Sequence, residues 1–168
     1  QADPYGTLAK AAEAGYKYVE AANHNALTDA GVGFGVPADA MKSSLERLGM
    51  RIVGCHINPL EPSRINEVLD YHQTLGNTKI GCDIEFFPYN DIDFVLRRCE
   101  LFNKVGAMCK ERGMRYYYHN HYQEFQKFGG KTVYDIIMEN TDPSLVFIEL
   151  DTYWVYRGGQ NPIDLINK

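Results

Sequence analysis

Tyr118-His119-Asn120-His121-Tyr122-Gln123-Glu124-Phe125 closes an apolar run that opens near Met114, and Glu149-Leu150-Asp151-Thr152-Tyr153-Trp154 closes another about thirty residues on. Each reads as a strand that ends in titratable side chains. Side chains alternate along a strand, so His119 and His121 share one face, as do Glu149 and Asp151. Two neighbouring strands of this kind aim four titratable groups at one point, which makes that point a candidate metal or acid/base centre.

Working outward, the same rhythm recurs. Short apolar runs ending in polar residues predict strands at Tyr16 to Ala21, Arg51 to Ile57, Thr78 to Asp83, Met114 to His121 and Leu145 to Asp151. Helical periodicity fills the intervals. Met41, Leu45 and Leu48 share a face over Ala38 to Leu48, and Phe94, Leu101, Phe102, Val105 and Met108 do so over Asp91 to Arg112. Further helices are predicted from Pro62 to Leu75, Lys131 to Asn140 and Asn161 to Lys168, and Asp3-Pro4 reads as the cap and first residue of an opening helix.

Strands alternating with helices argue for repeated βαβ units and a parallel sheet, so the class is α/β. Glu20, His56, Asp83 with Glu85, His119 with His121, and Asp151 all stand at or just past the carboxyl end of a predicted strand. A (β/α)8 barrel feeds every strand into one site at that end, whereas an open sheet gathers chemistry at a switch point. The distribution favours the TIM-barrel type. Such a barrel typically has eight strands and about 250 residues; this chain has 168 and supplies about five β/α units. Residues 1–168 are therefore expected to form a single partial TIM-barrel domain holding strands two to six. The remaining strands lie outside this sequence, or another chain supplies them, or the five units form an open sheet; the first is preferred.

With 45% hydrophobic residues the chain can bury a core, and its formal charge of -5 comes without a long run of one sign. That balance excludes a nucleic-acid backbone or an anionic membrane surface as the main partner and leaves a small molecule. Cys55, Cys82, Cys99 and Cys109 show no Cys-x-x-Cys spacing, and nothing resembles a signal peptide or a membrane span. Four reduced thiols in a cytoplasmic protein are expected.

The chain resembles the xylose isomerase-like barrels, in particular the sugar phosphate isomerase/epimerase branch that includes inosose dehydratase-like proteins. The resemblance rests on Ala14-Gly15-Tyr16-Lys17-Tyr18-Val19-Glu20, on Leu48-Gly49-Met50 leading to His56, on Tyr118-His119-Asn120-His121 with Glu124-Phe125, and on Glu149-Leu150-Asp151-Thr152-Tyr153-Trp154-Val155 with Gly158-Gly159. It implies a divalent metal (Mn, Mg, Co or Zn) at the carboxyl face of the barrel and a carbohydrate substrate that is isomerised, epimerised or dehydrated. The sixth-strand aspartate of the family matches Asp151. His119 stands where the family has its fifth-strand glutamate, and Trp154 stands where a histidine often follows the aspartate.

Asp151 and His119 are thus the expected metal ligands; the competing role for Asp151 is to cap the loop after its strand. His121, Glu124 and Glu149 are the candidate proton carriers. Glu124 is otherwise a solvated loop carboxylate, and Glu149 a partner of Arg115 on the adjacent strand. Glu20, His56 and Trp154 are candidate substrate contacts, with Tyr153 and Phe87 beside Trp154 as an apolar wall for a sugar ring. Gly31-Val32-Gly33-Phe34-Gly35 lacks the residues of a phosphate loop and reads as a flexible loop over the site, with Phe34 at its tip. The expected activity is a metal-dependent isomerase or epimerase acting through an enediolate. Dehydration of a keto-polyol and a non-catalytic sugar-binding or assembly subunit stand as alternatives, and a homo-oligomer is left open.

Overall fold

The structure, a computed structural model, describes residues 3–82, 88 and 91–167. Asp83, Glu85 and Phe87 lie outside them. The chain divides into two compact units, 1–81 and 82–168.

In the first unit, α1 (Pro4–Glu13) starts where Asp3 accepts a hydrogen bond from the Tyr5 amide, as the Asp-Pro pair predicts. It leads into β1 (Tyr18–Asn23), α2 (Ala38–Arg47), β2 (Arg51–Ile57), α3 (Ile65–Leu75) and β3 (Lys79–Cys82), which ends at the unit boundary. The strands pair in parallel, β1 with β2 and β2 with β3. The helices cover them with an apolar stripe formed by Met41 and Leu45 of α2 and by Ile65, Val68, Leu69 and Leu75 of α3.

The glycine-rich segment after β1 is tied by side-chain hydrogen bonds. Buried Asn23 donates through Nδ2 to the carbonyls of Asp29 and Gly31, and the Asp29 carboxylate accepts from the amides of Gly31 and Gly35. Tyr71 of α3 donates to the Val36 carbonyl, and its ring lies where a Cβ on Gly31 would fall. Phe34 is 49% exposed and lines an apolar cleft of about 370 Å³ with Leu8, Ala11, Val19 and Met41.

The second unit carries α4 (Ile92–Glu111), β4 (Arg115–His119), a short hairpin of β5 (Lys127–Phe128) and β6 (Lys131–Thr132), α5 (Val133–Asn140), β7 (Val146–Glu149), α6 (Thr152–Arg157) and α7 (Pro162–Ile166). β4 and β7 are parallel, with Tyr116 opposite Val146 and His119 opposite Glu149. The buried face of α4 is formed by Val95, Cys99, Phe102, Val105 and Cys109, a stripe turned slightly from the one that periodicity predicts because small thiols take core positions. Phe102 packs against the rings of Tyr116 and Tyr118. A Cβ on Gly106 would fall 2.5 Å from the Leu145 carbonyl oxygen, so glycine permits the close approach of α4 to the start of β7. Among the described residues no helix is long and apolar enough to cross a membrane, and the four cysteines are buried and form no disulfide.

One buried polar group in the first unit sets a pH dependence. His72 of α3 is fully buried, with Nδ1 facing Asn77 Nδ2 at 3.2 Å, and burial lowers its pKa to about 4. The unfolded chain takes up this proton near the ordinary histidine value of about 6.5, the folded chain only near 4, so stability is full above 6.5 and falls as pH drops between them. Comparison with His72→Gln cancels other titrating groups. The wild type is expected to lose about 3 kcal/mol relative to that variant between pH 7 and 4, read by denaturant unfolding; a difference independent of pH contradicts this.

Candidate active site

The carboxyl ends of β4 and β7 lie side by side because the two strands are parallel and in register. His119, the last residue of β4, is hydrogen-bonded through Nδ1 to Glu149 Oε2 at 3.0 Å. Its Nε2 faces Asp151 Oδ2 at 3.8 Å. Asp151 is past the strand: it is the N-cap of α6, and its Oδ1 accepts from the Trp154 amide at 3.0 Å. One carboxylate oxygen therefore caps a helix while the other looks at the imidazole, which joins the two roles that the sequence sets against each other.

These donors fit a divalent cation. With Nδ1–H donated to Glu149, the tautomer set by that bond leaves a lone pair on Nε2 opposite a carboxylate oxygen. A divalent cation between the two atoms would satisfy both. The separation is too long for a hydrogen bond and close to the spacing of two ligands that each sit about 2.1 Å from one ion. A carboxylate behind the far nitrogen is also the usual support of a metal-bound histidine.

His121 lies beyond the end of β4, not on it. The turn of the chain nevertheless brings its ring to 4.9 Å from His119 and 5.0 Å from Trp154. Trp154, in the first turn of α6, also meets Tyr122 at 5.8 Å and Tyr153 at 4.9 Å between ring centroids. This aromatic group is half-open, since Tyr122 and Tyr153 are exposed. Gly158, at the end of α6, has no room for a Cβ against the Phe125 ring, so the two segments that carry His121 and Trp154 are in direct contact. Phe125 forms a small core with Tyr134 and Val155 beneath them.

Glu124 is fully buried, unlike the solvated loop carboxylate the sequence allows. Oε1 accepts from the Tyr118 hydroxyl at 2.7 Å and Oε2 from the His121 amide at 2.9 Å. Burial raises its pKa to about 6, against the opposing effect of those hydrogen bonds. Arg115 stands at the other end of β4 from Glu149 and stacks over Phe147 at 4.9 Å; it is not placed as the Glu149 partner that the sequence suggests. In the first unit Glu20 and His56 come together across β1 and β2, with Nε2 and Oε1 at 3.3 Å. Asn120 carries no signal in the sequence pattern, yet its fully buried amide holds the Asp151 backbone.

The fold is that of the xylose isomerase-like TIM barrels. A sugar phosphate isomerase/epimerase from Parabacteroides distasonis superposes with a TM-score of 0.81 at 25% identity, over 98% of this chain and 65% of that one. A xylose isomerase domain protein from Alicyclobacillus acidocaldarius gives 0.71 at 16% identity, over 99% of this chain and 65% of that one. An inosose dehydratase from Clostridium beijerinckii is 37% identical over 68 residues, which is 39% of this chain and 22% of that protein. The chain thus spans about two thirds of these two solved relatives, and the stretch shared with the curated one is shorter still. No family model matches the chain.

The Glu124 network makes a direct prediction. Glu124→Ala leaves the Tyr118 hydroxyl and the His121 amide buried without their acceptor and is expected to cost about 3 kcal/mol. Glutamine can accept from His121 and donate to Tyr118, so Glu124→Gln is expected to fold like the wild type. The folded-state pKa of Glu124 is raised, so its favourable contribution is present below its ordinary value of about 4.5 and lost as pH rises through about 6. Glu124→Gln should therefore gain about 2 kcal/mol on the wild type between pH 4 and 7, measured by unfolding at each pH.

Proposed function

We propose that the protein is a divalent-metal-dependent isomerase or epimerase of a sugar or sugar derivative, working by proton transfer through an enediolate. The observation that carries this reading is His119 held through Nδ1 by Glu149 with its Nε2 facing Asp151 Oδ2. The ion is Mn, Mg, Co or Zn, all of which accept mixed nitrogen and oxygen ligands. Bound there, it would supply a Lewis acid for the oxygens of a hydroxy-carbonyl substrate.

In this reading His119 and Asp151 are ligands and Glu149 orients His119. His121 is the proton carrier, because its ring adjoins both His119 and the aromatic group and an imidazole moves protons near neutral pH. Glu124 uses both oxygens on Tyr118 and His121, so it holds His121 in place rather than carrying the proton itself. Trp154 offers a ring face to the C–H side of a sugar. Glu20, in the middle of β1 rather than at the strand end the sequence suggests, and His56, next to last in β2, remain proposed substrate contacts.

The name of the Parabacteroides relative supports the isomerase class. The inosose dehydratase match supports a second reading, in which the same enolisation is followed by loss of a β-hydroxyl from a keto-polyol. Elemental analysis of the full natural protein is expected to find one equivalent of divalent metal that is lost in Asp151→Ala and in His119→Ala. Incubation with ketoses and keto-polyols then separates the readings by product mass, since an isomer keeps the mass of its substrate and a dehydration product has lost water. A metal-free wild type that also binds none on addition would contradict both.

A further inference from the structure

Asn120 is fully buried one residue past the end of β4, and its side chain lies flat against the backbone of Asp151. Nδ2 donates to the Asp151 carbonyl at 3.2 Å, and Oδ1 accepts from the Asp151 amide at 2.9 Å. The last main-chain pairing of β4 with β7 is His119 opposite Glu149. The Asn120 side chain extends that pairing by a further step, its amide standing where a peptide group of a longer strand would be.

The consequence falls on the Asp151 carboxylate. Asn120 holds both polar groups of the Asp151 backbone, the Val155 amide shares the carbonyl at 3.0 Å, and Oδ1 is held by the first turn of α6. With those four bonds made, Oδ2 faces His119 Nε2 at 3.8 Å. No other side-chain type serves as well. Aspartate would set a carboxylate oxygen against the Asp151 carbonyl, glutamine is a methylene too long for an enclosed position, and alanine makes neither bond.

We propose that Asn120 is the positioning residue for Asp151: its two-bond clamp sets the separation of Asp151 Oδ2 from His119 Nε2 and, through it, the affinity for a divalent cation. The inference rests on the metal reading above, and the experiment separates the two.

Asn120→Ala and Asn120→Ser, made in the full natural protein, are compared with the wild type by Mn²⁺ titration and by amide hydrogen exchange resolved to single residues. Mn²⁺ binding is expected to weaken about 10- to 100-fold, as for loss of a group that orients a ligand. The Asp151 amide is expected to exchange at least about tenfold faster, while Leu69 and Ile80 in the first unit keep their wild-type protection. A purely structural role would lower protection throughout without a selective loss of affinity. Mn²⁺ affinity within about twofold of the wild type in a folded variant, or an unchanged Asp151 amide, overturns the proposal. Serine keeps a small polar group at the position and serves if the alanine variant does not fold. If the wild type binds no Mn²⁺, the metal reading fails and with it the affinity part of the proposal, while the clamp on Asp151 stands or falls by the exchange result.

Discussion

The hydrogen bond from His119 to Glu149 depends on register. In a parallel pair both carboxyl ends point the same way, and a shift of one residue would turn either side chain to the opposite face. Because Tyr116, Tyr117, Tyr118 and His119 pair in step with Val146, Phe147, Ile148 and Glu149, the imidazole and the carboxylate emerge next to one another. In the neutral ring the same bond favours the tautomer whose Nε2 faces Asp151 as an acceptor. Everything proposed for the site follows from that meeting of two acceptors.

Behind this edge lies a second layer of polar groups that face inward. A buried carboxylate is costly unless its hydrogen-bonding capacity is used, and Glu124 uses it on Tyr118 within β4 and on the amide of His121 in the loop that follows. Asn120 does the equivalent across to the β7 side. Phe125 closes against Gly158, so the loop after β4 and the helix after β7 rest on one apolar base with Tyr134 and Val155. The arrangement keeps His121, Trp154 and Asp151 in place before any ligand arrives, which is how a site avoids spending binding energy on its own ordering.

The strands and helices that depend on periodicity were legible in the residues: the α/β alternation and the start of nearly every element follow from apolar spacing and from caps such as Asp3-Pro4. Strand ends were not. The apolar run after Leu145 reads as a strand reaching Asp151, whereas the strand ends at Glu149 and the Asp151 side chain caps Trp154 and starts a helix. The same local effect takes His121 off β4. The hairpin around Gly129-Gly130 carried a readable signal, two adjacent glycines that both adopt positive φ, at 55° and 90°. Glu124 and Asn120 had none, because a carboxylate and an amide after a strand are ordinarily solvated. Their burial follows from tertiary contacts that no local pattern encodes.

The central claim is that His119 Nε2 and Asp151 Oδ2 bind one cation while Glu149 stays on His119 Nδ1. The most direct measurement is anomalous diffraction from crystals of the full natural protein grown with Mn²⁺. The account predicts a manganese peak within about 2.3 Å of both atoms, with the His119 to Glu149 hydrogen bond intact. A peak bound elsewhere, or one that draws Glu149 away from Nδ1, would contradict it.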